Sequence, residues 1–374
     1  MEFIEIERKL GEGGSGSVYL GYDKLLCQEV AIKQLNFGTS VKNCNMITKE
    51  IDALGQLRHK NIVKLLDYFP LPKKQQLIVV MEYLRGGELD DLWKSQTMRR
   101  FSERNAHALF MQLMNAIDYC HNSKIIHRDM KFQNVMLAEK PKYNAKGKLD
   151  ISSVNLKVVD FGIFGSISGI RLENVNFGSL RFMAPELLQG DIKSTPKIDI
   201  WSLGLMLHAM VFGFLPFNSN TRDALEHQIL NDEIGYTHIK KLKTSSIKNE
   251  VRRALNIMLK STSDDLIDLI EKMLNKDPEQ RIDNLSLFEH PWITKYSYDP
   301  FYDDYESSDE QENNQEKNSL DSNSDYFGEE KMMETNFDSD PVQLDNKSSR
   351  GTSSPNSLMN SEFERGRGGK TCIN

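Results

Sequence analysis

The stretch His127-Arg128-Asp129-Met130-Lys131-Phe132-Gln133-Asn134 decides how the rest of the chain is read. Ile125 and Ile126 precede it, and Val135, Met136 and Leu137 follow. Apolar flanks around a charged middle predict a polar loop held between two buried anchors. Crowding His, Arg, Asp, Lys and Asn into one loop is costly to bury and is not explained by packing alone. Asp129 can accept a proton from a hydroxyl, Lys131 can neutralise a transferring phosphoryl group, and Asn134 offers an oxygen to a metal. The plain alternative is a helix end followed by a charged turn, and the neighbouring segments must separate the two.

On the carboxy-terminal side, residues 138–153 are polar and turn-rich and read as a surface insertion. Leu156-Lys157-Val158-Val159 then predicts a strand, followed by Asp160-Phe161-Gly162. Mg2+ is a hard cation, bound by a few carboxylates together with substrate phosphates. Asp160 with Asn134 supplies that kind of donor set. An isolated Asp-Phe-Gly is an ordinary turn; here its place after the 127–134 loop and behind a strand distinguishes it. On the amino-terminal side, 101–123 predicts a long amphipathic helix, with Ala108, Phe110, Met111, Leu113, Met114, Ile117 and Tyr119 on its apolar face. His107 and His121 lie on it without ligands at metal spacing and read as structural.

Further upstream, Phe3, Ile4 and Ile6, then Val18, Tyr19 and Leu20, then Val30, Ala31 and Ile32 read as strands. The turn between the first two has GxGxxGxV spacing, carried by Gly11, Gly13, Gly16 and Val18. Glycines there let backbone N–H groups approach phosphate oxygens without a Cβ in the way. Strand-like residues on both sides favour a hairpin over a Rossmann turn leading into a helix. Lys33 closes the run Val30-Ala31-Ile32 and, by itself, is equally a snorkelling strand-end lysine. Residues 41–57 have helical spacing and carry Glu50, and 77–84 reads as a buried central strand ending in a polar linker.

Together these segments resemble eukaryotic protein kinases over about residues 4–294. The 127–134 stretch resembles the catalytic loop, Val30-Ala31-Ile32-Lys33 the nucleotide-lysine strand, and Asp160-Phe161-Gly162 the metal-binding turn. Ala184-Pro185-Glu186, Arg281, Asp199-Ile200-Trp201-Ser202-Leu203-Gly204 and His290-Pro291-Trp292-Ile293 follow in the family's order. The resemblance implies an α+β, two-lobed kinase fold: a small β-rich lobe over 1–84, a mainly helical lobe over 85–294 and a tail over 295–374. It implies ATP and Mg2+, with Asp129 as base and Lys131 stabilising the transferred charge. Lys33 would hold the phosphates and pair with Glu50, while Asn134 and Asp160 would hold the metal. Backbone groups near Glu82 and Leu84 would meet the adenine edge, with Val18 and Ala31 above the base and Met136 below it. Met81 falls in the gatekeeper place, and Glu88 where a substrate arginine or the ribose is read. Lys131 and Gly178-Ser179 resemble Ser/Thr kinases. HPWI and PKIDIWSLG lean toward the calcium/calmodulin-dependent and AMP-activated kinase neighbourhood.

The departures matter as much. Phe132 stands where kinases usually have proline, Gln133 where those preferring basic substrates often have Glu, and Ala209 where a second such acid often sits. A preference for basic substrates is therefore not implied. Val175 stands where an activating Ser or Thr is usual, which favours phosphate-independent activation over an unusual serine such as Ser166 or Ser168. Loss of the nucleotide lysine or of a catalytic acid would mark a binding scaffold in place of an enzyme, and neither is lost.

The 374 residues carry a formal net charge of −7, unevenly spread. Residues 301–374 hold 17 acidic and 7 basic side chains, so the remainder is close to neutral and nucleic-acid binding is not indicated. The acidic, Ser- and Asn-rich tail cannot bury enough apolar surface to offset its ordering cost, so it is predicted to be disordered. It is a candidate for a tail-mediated partner beside the protein Ser/Thr substrates. The basic stretch 238–260 reads as a solvated helix, with a partner- or membrane-binding face as the alternative. Four cysteines without framework spacing point to a reducing compartment. With no leader, spanning run, myristoylation glycine or prenylation box apparent, no membrane anchor and a cytoplasmic setting are expected, with the nucleus as the alternative.

Overall fold

The computed structural model describes residues 3–13, 16–36, 51–52, 54–161, 177–190, 195–234 and 262–296. Glu50, Gly162, Ser166, Ser168, Val175, the stretch 238–260 and the tail from 297 lie outside these residues.

Five strands, β1 (Ile4–Gly13), β2 (Gly16–Asp23), β3 (Gln28–Asn36), β4 (Leu65–Leu71) and β5 (Gln76–Glu82), form an antiparallel sheet in the order β1-β2-β3-β5-β4. Strand periodicity sorts its side chains to two faces. Leu35, Leu77 and Val79 join Ile51 on one, and Val30, Ile32, Ile78 and Val80 cluster on the other. Covered on both faces, the middle of β3 is buried without alternation from Val30 to Lys33. The β1–β2 hairpin closes with Gly13 opposite Gly16, as the glycine spacing predicts. At Gly16 the requirement is steric: φ is +137°, and a Cβ would lie 1.9 Å from the Gln34 carbonyl oxygen.

The helical part is built around α1 (Leu89–Ser95), α2 (Glu103–Asn122) and, further on, α5 (Lys197–Phe212). The helix predicted over 101–123 starts two residues later, because the Ser102 hydroxyl accepts the Asn105 N–H and caps it. Every residue of α5 from Ile198 to Phe212 is buried, as expected of a central core helix. Between α2 and α5 come β6 (Val135–Leu137), β7 (Leu156–Val158) and the short helices α3 (Phe177–Leu180) and α4 (Pro185–Leu188). The helices α6 (Arg222–Asn231), α7 (Asp264–Met273), α8 (Asn284–Phe288) and α9 (Pro291–Lys295) complete the described part. α7 lies close enough to α5 that a Cβ on Gly204 would come within 2.9 Å of Met273 and Leu274. His107 donates to the Ile293 carbonyl at 3.0 Å, tying α9 to α2, which bears out its structural reading.

The segment between β6 and β7, read from the sequence as a surface insertion, makes its own local hydrogen bonds. Tyr143 bridges Leu149, and the Asn144 side-chain oxygen accepts the N–H groups of Lys146 and Lys148 at 3.0 and 2.9 Å. Asp150 caps the short 3-10 turn that leads into β7.

Candidate functional site

The loop at 127–134 is held from below by one buried carboxylate. Asp199, in the first turn of α5, accepts the backbone N–H of His127 at 2.9 Å and of Arg128 at 2.8 Å. His121, at the end of α2, donates Nε2–H to the same carboxylate at 2.8 Å. Burial works against the ionised form of Asp199, yet the His121 hydrogen bond and charge, with His127, outweigh it. The carboxyl is held below its ordinary range. So anchored, Arg128 takes a left-handed φ of +70°, an unusual conformation for a bulky residue.

Above the anchor the polar side chains converge. Lys131 Nζ is 2.7 Å from Asp129 Oδ2 and donates to the Ser179 hydroxyl, also at 2.7 Å. Asn134 Nδ2 donates to the Asp129 carbonyl at 2.6 Å and to its Oδ2 at 2.8 Å. The amide's donor end is thereby spent within the loop, and its oxygen is the end suited to a cation. Sequence reading named Lys131 and Ser179 separately; their contact depends on how the segment at 177–180 folds back.

The β6–β7 pair brings the loop to Asp160. Val135 is opposite Val158, and the Val159 N–H donates to the Asn134 carbonyl at 2.9 Å, so Asn134 and Asp160 leave the hairpin at one end. Asp160 takes φ +55°, a left-handed conformation that Asp tolerates better than most residues. Its Oδ1 is 2.6 Å from Lys33 Nζ on β3. Lys33 is thus no snorkelling strand end: its side chain is 9% exposed and turned inward. Among the described residues Asp160 is its ion-pair partner; Glu50, the expected one, lies outside them. The donor set fits Mg2+: an amide oxygen and a carboxylate stand at one hairpin end, with a lysine beside them for phosphate charge. No group of three or more His, Cys, Asp or Glu that could cage a metal occurs among the described residues, so further oxygens would come from phosphates and water.

Strand register places the remaining residues. Ala31 and Lys33 lie two apart on β3, Val18 stands opposite Lys33, and Met81 opposite Ala31, so these four share one face of the sheet. Gly11 is opposite Val18 and Gly13 opposite Gly16 at the hairpin end. Past β5 the chain runs along β6: Gly86 N–H donates to the Leu137 carbonyl and Leu137 N–H to that of Gly87, at 3.0 and 2.9 Å. This pairs Glu88 with Met136 and buries Leu84. Burial, then Asp91 and Asp90, pushes the Glu88 carboxyl up. The Glu82 side chain turns to Lys157 Nζ and the Lys64 N–H, both at 2.7 Å, a pairing the sequence did not signal. Its own N–H donates to the Lys64 carbonyl at 3.0 Å.

The expected partner of Glu186 is in place: Glu186 and Arg281 meet in a buried ion pair at 2.7 Å. The His127 and Phe161 ring centroids lie 4.7 Å apart, a contact the sequence did not signal.

Comparison with known proteins agrees with this geometry. The protein kinase domain family matches residues 4–293. The chain is 31% identical over 291 residues to a carbon catabolite-derepressing protein kinase of Candida glabrata, covering 77% of this chain and 41% of that protein. It is 34% identical over 229 residues to the Saccharomyces cerevisiae protein of that name, covering 61% of this chain and 33% of the relative. The matched segments thus span less than half of these relatives. The similarity bears out the Ser/Thr kinase resemblance and its AMP-activated kinase side.

Proposed function

This chain belongs to the protein kinase family, and from that premise we propose that it transfers the γ-phosphoryl group of ATP to Ser or Thr hydroxyls of proteins. The observation that carries the reading is the cluster of Asp129, Lys131, Asn134 and Ser179, joined by hydrogen bonds of 2.6–2.8 Å, beside the Lys33–Asp160 pair.

In this reading Asp129 orients the acceptor hydroxyl and takes its proton as the new O–P bond forms and the bond to ADP breaks. Lys131 neutralises charge on the transferring group. The Ser179 contact fixes the Lys131 ammonium before substrate arrives, so no reorganisation is needed during reaction. Lys33 holds the α- and β-phosphates, exchanging its contact with Asp160 for phosphate oxygens. Asn134 and Asp160 would hold Mg2+, which would supply charge neutralisation to the phosphates. Gly11, Gly13 and Gly16 line the hairpin over the phosphates, Val18, Ala31 and Met136 sandwich the adenine, and Glu88 borders the ribose or substrate side.

Ala209 is fully buried, and its carbonyl accepts the Trp93 indole N–H at 3.0 Å. No acid faces substrate from that position, which supports acceptors without an obligatory arginine. Cys27 and Cys120 are free thiols, in keeping with a reducing cytoplasmic or nuclear setting. No helix among the described residues is long and apolar enough to cross a membrane.

The test is phosphate transfer from γ-labelled ATP to a general protein substrate by the wild-type chain and Asp129→Asn. Transfer by the wild type that falls by at least about a hundred-fold in the variant is expected. Equal background signal from both would replace the enzyme with a binding scaffold.

A further inference from the structure

Phe132 occupies the catalytic-loop position where kinases usually carry proline, and the fold gives it a specific environment. It is 1% exposed. Its ring lies parallel to that of Trp93, with centroids 4.8 Å apart and planes 5° apart. It meets Phe182 edge-on at 6.1 Å and 74°. Three rings therefore link three segments: α1, which follows the linker after β5; the catalytic loop; and the chain just beyond Ser179. The two outer segments are pinned to α5, because the Trp93 indole donates to the Ala209 carbonyl and the Ser202 hydroxyl donates to the Phe182 carbonyl at 2.8 Å. Phe132 is immediately next to Lys131 and two residues before Asn134.

Resting on the phosphotransferase reading above, we infer that Phe132 is a positioning residue: its ring sets where the Lys131–Asn134 turn stands relative to the segment carrying Ser179. Aromatic pairs hold preferred offset-stacked and edge geometries, and a close-packed interior does not absorb loss of a ring without movement. Proline presents no aromatic face to either neighbour, so this chain has replaced a stiff backbone with a packed ring. The turn that Phe132 begins spans only Phe132–Asn134, so a shift of the ring is passed to Lys131 and Asn134. Trp93 is assigned to the same unit. Trp93 reaches the loop through this stacked ring pair, so losing either ring breaks the same contact.

The experiment measures kcat and the KM for ATP in the full-length wild type, Phe132→Leu, Phe132→Tyr, Trp93→Leu and the Phe132→Leu/Trp93→Leu double variant. Activities are normalised to the folded fraction from thermal melts. Phe132→Leu is expected to lower kcat on the order of ten-fold, with the KM for ATP within about two-fold of wild type, since misplaced reacting groups slow chemistry more than binding. Phe132→Tyr, which keeps the ring, is expected to recover most of kcat. The double variant should be no slower than the slower single one. Wild-type kcat per folded molecule in Phe132→Leu would overturn the inference, as would losses that multiply in the double variant. If Phe132→Leu does not fold, Phe132→Tyr against Trp93→Leu decides by the same ring-kept, ring-lost contrast. Absence of transfer by the wild type would remove the phosphotransferase reading and this inference together.

Discussion

Glu186 and Arg281, 95 positions apart in sequence, meet through two hydrogen bonds, Nη1 to Oε1 at 2.7 Å and Nη2 to Oε2 at 2.9 Å. The guanidinium is fully buried and also donates to the carbonyls of Asn275 and Lys197 at 2.9 and 2.8 Å. It lies over the Trp201 ring at 5.1 Å. Removing one partner of a buried, hydrogen-bonded pair leaves the other charge uncompensated. Arg281→Met is therefore expected to destabilise the protein by roughly 3–5 kcal/mol, measured by denaturant unfolding. Arg281→Lys should recover only part of this, because an ammonium cannot reproduce the two-pronged contact. A loss below about 1 kcal/mol for Arg281→Met would mean that the pair contributes little.

Asp199 links stability to acid pH. Its carboxyl is held low in the fold, so in the unfolded chain it binds a proton at higher pH than in the native state. Its contribution is fully present above the unfolded carboxylate value and is lost as pH falls through the folded one. Asp199→Asn should flatten the acid limb of a stability–pH profile while lowering kcat, since one amide oxygen cannot serve His121, His127 and Arg128 together. An unchanged acid limb would contradict this.

Lys33 and Asp160 are expected to separate stability from function. The Asp160 side chain is 37% exposed, so the pair is partly screened and contributes modestly to folding. Lys33→Met should shift Tm by no more than a few degrees yet reduce kcat/KM for ATP by about a hundred-fold or more. Parallel melts and steady-state kinetics check this, and wild-type kinetics in the variant would remove Lys33 from the nucleotide site.

At the alkaline end the group to follow is Tyr68. Its hydroxyl donates to Asp52 Oδ1 at 2.6 Å, and that bond, with burial and the Asp52 charge, raises it from 10.0 to about 12. Between these values the native state keeps a proton that the unfolded chain has lost, so stability falls as pH rises through that window. Tyr68→Phe should lose stability near neutral pH but show a shallower decline from pH 10 to about 12. Identical alkaline slopes would show that the bond is not felt in solution.

Much of the site was legible because kinase chemistry is written locally. The 127–134 loop, the glycine hairpin, the Lys33 strand and the Asp160 turn each combine unusual residue types with a periodicity that places them between buried strands. Other features were out of reach. The Lys131–Ser179 and Lys33–Asp160 contacts join segments whose approach depends on how the chain returns. The Glu82–Lys157 pair requires knowing that β7 runs beside the end of β5. Phe132 was visible as a departure, but its two ring partners, 39 positions before it and 50 after it, could not be read from spacing.

The linear order of apolar runs, glycines and charged clusters determined the family, the β-sheet and helical parts and the choice of candidate reactive side chains, since each depends on a few consecutive residues. Only the tertiary structure decided which of them touch. Asp199 lies 70 positions beyond Asp129. Its grip on the loop exists because α5 is buried on every side and so has one place to lie.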